Sequence, residues 1–460
     1  MVLGIGGFMH VITIETPELG DRSYLVHDGS KAFVLDPQRD IERVIKAAKD
    51  AGVEIRAVAE THIHNDYVTG GYELATRLQV PYYVNEADNV SFERNGVKDG
   101  SKITVGGLEI EVVATPGHTP NHLSYVVTDG SGEGVVLSGG SMLFGSVGRT
   151  DLISAELTEP LAKAQYHSVR RLAEKFPEHF GVFPTHGFGS FCSSVATTGG
   201  STSTLGDEKR NNIVFKFDDE ELFAKTIIAG LTAYPKYYAH MGRINSAGPR
   251  APRFEPPALQ SAQDIYDRIT KGEWVVDLRS RRDFAKAHII GTYNIEYGNS
   301  FTTFFGWVVP FDATITLMAA DIEQFERARI DLSRIGFDNI RNAVIGDVSL
   351  LGNDKLITSS YEIVSFADGK EIEEDFLIID VRRHDEWNNG FIEGAKHVPL
   401  EKVHEIRATL DDERLHLIHC QSGYRASIAA SLIEASGKRV RLIDDSFDVA
   451  KEVGFNIKRP

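Results

Sequence analysis

The sequence predicts an α/β protein in which an amino-terminal αββα sandwich is followed by two parallel-sheet units. Three observations predict it. Histidines recur in short loops, most of them Gly- or Pro-containing, each just past an apolar run that reads as a strand. A proline-rich, non-periodic stretch interrupts the chain after residue 247. Beyond it the pattern Trp274-Val275-Val276-Asp277-Leu278-Arg279 returns as Leu377-Ile378-Ile379-Asp380-Val381-Arg382, and His288-Ile289-Ile290-Gly291 returns as Phe391-Ile392-Glu393-Gly394. A period of about a hundred residues is that of a domain and not of a solenoid unit.

Each element follows from local pattern. Residues 10–15 alternate apolar and polar, and short apolar runs follow at 24–26 and 32–35, as in a meander of antiparallel strands. Ile41, Val44, Ile45 and Ala48 recur at helical spacing, and Gly52 stops that helix. A strand at 55–59 delivers Glu60-Thr61-His62-Ile63-His64-Asn65-Asp66-Tyr67. A helix at 71–78 and a strand at 80–84 come next. Residues 102–114 give two strands hinged at Gly106-Gly107 and lead to Thr115-Pro116-Gly117-His118. Strands at 123–128 and 134–137 run into the turn Gly139-Gly140, and a helix spans 162–176. A strand at 180–183 leads to Pro184-Thr185-His186-Gly187. Each candidate ligand thus lies at a strand end, where a layered sandwich gathers such side chains. The small polar run 199–204 reads as a mobile loop and 218–231 as a helix. Residues 248–257, with Pro249, Pro252, Pro256 and Pro257, read as a semi-stiff linker. The expected domains are 1–247, 258–352 and 355–460.

Two stretches carry chemistry. His62 and His64, at i and i+2 past a strand, point the same way, with Asp66 within reach. Neutral imidazoles and carboxylates are ligands for first-row metals. Cys420 follows an apolar strand, precedes an apolar helix, and opens the loop Gln421-Ser422-Gly423-Tyr424 closed by Arg425. A helix N-terminus and a guanidinium both favour the thiolate, the nucleophilic form. The equivalent place in the first copy, Met318-Ala319-Ala320-Asp321, has no cysteine.

The histidine ladder resembles the metallo-β-lactamase superfamily, whose HxHxDH signature opens a metal site. Gly148-Arg149-Thr150-Asp151 points to its persulfide dioxygenase and glyoxalase II branches. The two carboxy-terminal copies resemble rhodanese domains, through the strand-Asp-x-Arg opening and Ile392 to Pro399. Four residues separate Cys420 from Arg425, one fewer than in tyrosine phosphatase loops, which suits sulfur rather than phosphate. The resemblance implies sulfane-sulfur metabolism: sulfurtransfer through a Cys420 persulfide, with Arg425 supporting it and Gln421, Ser422, Gly423 and Tyr424 lining the substrate loop. Arg149 is expected either at a thiol-substrate pocket or in a local pair with Asp151. The expected substrates are a small thiol persulfide or thiosulfate.

Two positions depart from the metal signature. Tyr67 stands where the last signature histidine is expected, and Gly140 where a bridging aspartate is expected. Asp66 and His186 remain of the second site. The implied cofactor is therefore one mononuclear ion, Fe(II) or zinc, on His62, His64 and His118. Gly140→Asp is expected to restore the two-histidine, one-carboxylate set that holds Fe(II). Two alternatives accompany this reading: a sulfurtransferase whose metal-domain fold is only a scaffold, and a glyoxalase II-like thioester hydrolase.

Composition narrows the partners. A net charge of -17 over 460 residues argues against nucleic acid and anionic membranes. No apolar run has the length of a membrane span, and the first residues lack the basic segment of an export signal. Two cysteines, Cys192 and Cys420, make no disulfide framework and point to a reducing, cytoplasmic setting. Cys192 reads as a small buried residue. Association into a homo-oligomer stays open.

Overall fold

The computed structural model describes residues 2–5, 9–187, 189–194, 202–346, 357–410 and 414–460. The chain divides into two compact units, 1–252 with 333–336, and 253–332 with 337–460. Among the described residues no helix is long and apolar enough to cross a membrane.

The first unit is the expected αββα sandwich. One sheet has seven strands in sequence order: Val2–Ile5, Met9–Thr16, Asp21–His27, Lys31–Leu35, Glu54–Ala59, Tyr82–Asn85 and Asn95–Val97. The first four pair antiparallel, and pairing turns parallel from Lys31–Leu35 onward. The other sheet has six strands in the order Ser203–Thr204, Gly181–Pro184, Gly134–Gly139, Leu123–Thr128, Leu108–Ala114 and Lys102–Val105. Alternate residues of the two sheets, among them Val11, Tyr24, Phe33, Ala57, Ile110, Tyr125 and Leu137, form one buried core between them. The period-2 pattern puts their neighbours on the outer faces. There Val34 and Val58 pack under helices Glu42–Ala51 and Gly71–Leu78, and Val126 and Val136 under Ala155–Lys175 and Glu220–Ala229.

The last two helices adjust the expectation. The first begins at Ala155, upstream of 162, and the second is the ten-residue Glu220–Ala229, capped by the Asp219 side chain on Leu222 N–H. A helix at Tyr238–Ser246 had no strong periodic signal. Of the expected loop 199–204, residues 199–201 lie outside the described residues, and Ser203–Thr204 form a short edge strand.

The second unit holds two parallel five-stranded sheets of one topology. The first runs Ala258–Leu259, Asn342–Ile345, Ile315–Ala319, Trp274–Asp277, Tyr293–Asn294. The second runs Glu362–Val364, Val440–Ile443, Leu415–His419, Phe376–Asp380, Lys396–His397. The repeated Asp-x-Arg does the same work in both. Asp277 is clamped by Arg279, which also reaches the Ala287 carbonyl, and Asp380 by Arg382, which also reaches the Gly390 carbonyl. Residues 248–257 carry no helix or strand.

Candidate metal centre and cysteine loop

The ends of three strands, Glu54–Ala59, Leu108–Ala114 and Gly181–Pro184, bring His62, His64, Asp66, His118 and His186 together, all buried. Their second nitrogens decide where the lone pairs point. His118 Nδ1 lies 2.8 Å from the Arg149 carbonyl, which can only accept, so Nδ1 carries the proton and Nε2 the lone pair. Thr61 Oγ1 gives its proton to Asp36 and therefore accepts from His62 Nδ1, at 2.8 Å in both cases, which again leaves Nε2 free. His186 Nδ1 faces Asp21 Oδ1 and Asp66 Oδ2, each at 2.9 Å. His64 is turned the other way. Its Nε2 lies 3.2 Å from both Glu60 and Asp36, so Nδ1 is the free nitrogen. These free atoms (His62, His118 and His186 Nε2, and His64 Nδ1) are buried with no hydrogen-bond partner, as is Asp66 Oδ1. Buried polar atoms are normally paired. A cluster of unpaired nitrogens and a carboxylate oxygen facing one another is what a cation site requires, and on His186 and His64 a cation would take the place of a proton.

The grouping differs from the expected one. His62, His118 and His186 offer atoms within 4.8 Å of one another, and so do His64, Asp66 and His186. The expected triple His62, His64, His118 is not such a group among the described residues. His186, expected only as a remnant of a second site, joins both groups. Asp36, Glu60 and His64 form a third cluster, but there the His64 nitrogen carries the shared proton.

Charge follows burial and pairing. Burial, then the neighbouring imidazoles, pushes His62 well below the ordinary imidazole range. Burial and then His186 lower His118 to about 3. Both are neutral and fit to ligate. Burial opposes the charge on His186 and His64, yet Asp66 with Asp21 raise the former to about 10, and Asp36 with Glu60 raise the latter to about 9. Asp36, at a left-handed φ of 50°, accepts from Thr61 N, Thr61 Oγ1 and Thr185 Oγ1. Asp21, Asp36 and Glu60 escaped the sequence reading. A strand ending in Asp36-Pro37 was the one available signal.

The two departures from the signature have structural reasons. Tyr67 is buried and stacks on His64 at 4.3 Å, with its hydroxyl 3.1 Å from Nε2, so it wedges that ring without ligating. A Cβ at Gly140 would lie 2.7 Å from His118 Cγ and 2.9 Å from Nε2, so the His118 ring occupies the space a side chain needs. The Gly140 amide donates to His122 Nε2 at 2.9 Å. His122, also missed from sequence, thus closes the turn. The expectation that Gly140→Asp restores a carboxylate ligand is corrected accordingly.

Arg149 is the local clamp rather than a pocket residue. Its side chain is 1% exposed, pairs twice with Asp151 at 2.7 and 2.8 Å, and donates to the Phe191 and Thr232 carbonyls. Those four bonds leave little for a substrate. Its backbone carbonyl, however, orients His118. Cys192 is buried, and burial followed by Asp66 and Asp21 pushes its thiol well up.

Cys420 sits just past the strand Leu415–His419, buried, and the helix Tyr424–Glu434 starts four residues later. Gly423, at φ 89°, makes the turn between them. Phe447 N–H donates to the Gln421 carbonyl and fixes the loop's outer edge. Tyr424 donates its hydroxyl to the Glu296 carbonyl at 2.6 Å. Arg425 forms a two-point pair with Glu386 at 2.5 and 2.7 Å. In the first copy Ala320 takes the place after the strand, and Asp321 caps Gln324 N–H at once, so the helix starts with no loop in between.

Comparisons agree with this division. Residues 18–186 match the Metallo-beta-lactamase superfamily model, and residues 366–452, on the second copy, match the Rhodanese-like domain model. The chain therefore joins a metallo-beta-lactamase superfamily domain to a carboxy-terminal rhodanese-like domain. A Staphylococcus aureus metallo-beta-lactamase crystal structure superposes with a TM-score of 0.67 at 29% identity, covering 74% of this chain and all of that one. The probable polyketide biosynthesis zinc-dependent hydrolase BaeB of Bacillus velezensis is 29% identical over 212 residues, 44% of this chain and 84% of its own. The human mitochondrial persulfide dioxygenase ETHE1 is 28% identical over 178 residues, 38% of this chain and 65% of its own. The fold and its donor groups imply a metal ion.

Proposed function

We propose that this chain is an enzyme of sulfane-sulfur metabolism whose rhodanese-like domain transfers sulfur through Cys420. The observation that carries the reading is Cys420 at a strand end, in a loop turned by Gly423 onto a helix N-terminus. The Cys420 thiolate attacks the outer sulfur of thiosulfate. A sulfur–sulfur bond forms on Sγ, the original one breaks, and sulfite leaves with its electron pair. An acceptor thiolate, or cyanide, then takes the outer sulfur and returns Cys420 as thiolate. Loop amides and the helix dipole stabilise the anionic sulfur in both states. Thiosulfate:cyanide transfer by the wild type and by Cys420→Ser tests this. Transfer at the native rate in the variant would refute it.

We further propose that His62, His118 and His186 hold one metal ion, with His64 and Asp66 beside it. A bound iron would supply the oxidising chemistry of a persulfide dioxygenase, a bound zinc that of a hydrolase. Around it this chain's residues do the positioning: the Arg149 carbonyl and Thr61 fix two ring orientations, and Asp21 fixes the third. Likeness to a persulfide dioxygenase, in a chain that also carries a rhodanese-like domain, supports the persulfide reading. Likeness to a zinc-dependent hydrolase supports the thioester reading as the second. Metal analysis of the purified chain separates them: iron near one per chain favours the first, zinc the second, and no metal the scaffold.

A further inference from the structure

The cysteine-less copy reaches the active loop of its sister. Asp444 follows the strand Val440–Ile443, and its carboxylate lies against Gly423, where a Cβ would fall 3.1 Å from Asp444 Cγ. That puts a nearly buried anion against the loop that must hold an anionic sulfur and receive an anionic donor. Both guanidinium partners of Asp444 come from the other copy: Arg281 Nε to Oδ1 and Arg282 Nη2 to Oδ2, each at 2.8 Å. Arg281 also pairs with Glu296 at 2.7 Å, and the Glu296 carbonyl accepts the Tyr424 hydroxyl. Phe304 of the same copy lies 5.5 Å from the Tyr424 ring. By contrast Glu386 and Asp380 are neutralised from within the second copy, by Arg425 and Arg382. A carboxylate left uncompensated here would repel thiolate and donor alike.

We propose that Arg281, with Arg282, is a positioning residue for sulfurtransfer: the cysteine-less copy neutralises Asp444 and so keeps the Cys420 loop receptive to anions. This rests on Cys420 being the nucleophile. The test compares alkylation of Cys420, located by peptide mass spectrometry, by anionic iodoacetate and by neutral iodoacetamide. A purely structural role would slow both reagents equally. In Arg281→Ala/Arg282→Ala the iodoacetate-to-iodoacetamide rate ratio should fall about three- to tenfold at low salt and recover at high salt. The KM for thiosulfate should rise by a similar factor with less change in kcat. Adding Asp444→Asn should restore the ratio, and Arg281→Lys should retain most of it. Asp444→Asn alone, which leaves the cations in place, should raise the ratio above wild type, and this arm stands even if the double variant folds poorly. An unchanged ratio in the double variant, or in Asp444→Asn, overturns the proposal. Absence of Cys420 labelling by either reagent in the wild type overturns instead the nucleophile reading beneath it.

Discussion

Ligand counting suggests that Gly140→Asp should improve the metal centre, and packing suggests the opposite. The added Cβ would sit 2.7 Å from His118 Cγ, well inside contact distance, and His118 cannot swing away without breaking its 2.8 Å bond to the Arg149 carbonyl. The Gly140 amide is itself tied to His122, so the backbone has little room to retreat. Overpacking of this kind costs about 1–3 kcal/mol. For a unit of this size that is a fall in Tm of roughly 2–12 °C. Misorienting a ligand by disturbing what holds it weakens metal binding by about 10–100-fold. The assay is metal stoichiometry after dialysis against a graded chelator, with calorimetry alongside. Gly140→Ala separates the causes, since it adds the Cβ without a carboxylate and should lose nearly as much as Gly140→Asp. Tighter metal binding by Gly140→Asp at unchanged Tm would refute the packing argument and revive the carboxylate as a ligand.

Other expectations concern single groups. His186→Ala should weaken metal binding as much as His62→Ala or His118→Ala, whereas Tyr67→Phe should change stoichiometry little; equilibrium dialysis decides both. Arg425→Ala leaves the partly buried Glu386 with Arg383, 3.7 Å away, as its remaining cation and should destabilise the second unit by about 1–3 kcal/mol, read by denaturant titration; a change under half that would show the pair to be superficial. Cys192→Ser should leave thiosulfate:cyanide transfer near the wild-type rate, because the thiol is buried beside Asp66 in the other unit. In chelator-treated protein His64 and His186 have folded pKa values raised to about 9 and about 10 from an ordinary 6.5. Raised values mean stability fully present below pH 6.5 and lost as pH climbs through 9 to 10. Glu60 and Asp21, raised to about 7 and about 8, act in the same direction from lower pH. Tm of the metal-free chain should therefore decline from pH 6.5 to 9.5, and a rising Tm there would contradict the proton inventory.

The parts of this molecule written locally were readable from sequence. Strand-end histidines, the duplicated Asp-x-Arg strand and the Cys420 loop each declare themselves within about ten residues, because a strand end and a turn are short-range objects. What escaped depends on contacts across the chain. His186 enters the metal cluster only because Gly181–Pro184 pairs parallel with Gly134–Gly139, which sets its loop opposite His118. Asp21, 165 residues from His186, has no motif to announce it. Arg149 could be read as pocket or clamp until its four acceptors were placed. Gly140 looked like a missing ligand, whereas the His118 ring fills that space. Arg281 and Asp444, 163 residues apart, belong to two copies that sequence comparison treats separately.

The most direct test of the sulfurtransfer account is the covalent intermediate itself. Purified protein incubated with thiosulfate, digested and analysed by mass spectrometry should show the Cys420 peptide heavier by one sulfur atom. That sulfur should leave as thiocyanate when cyanide is added, and the Cys192 peptide should stay unmodified. Catalytic turnover with an unmodified Cys420 peptide, or with the added sulfur on Cys192, would contradict the account.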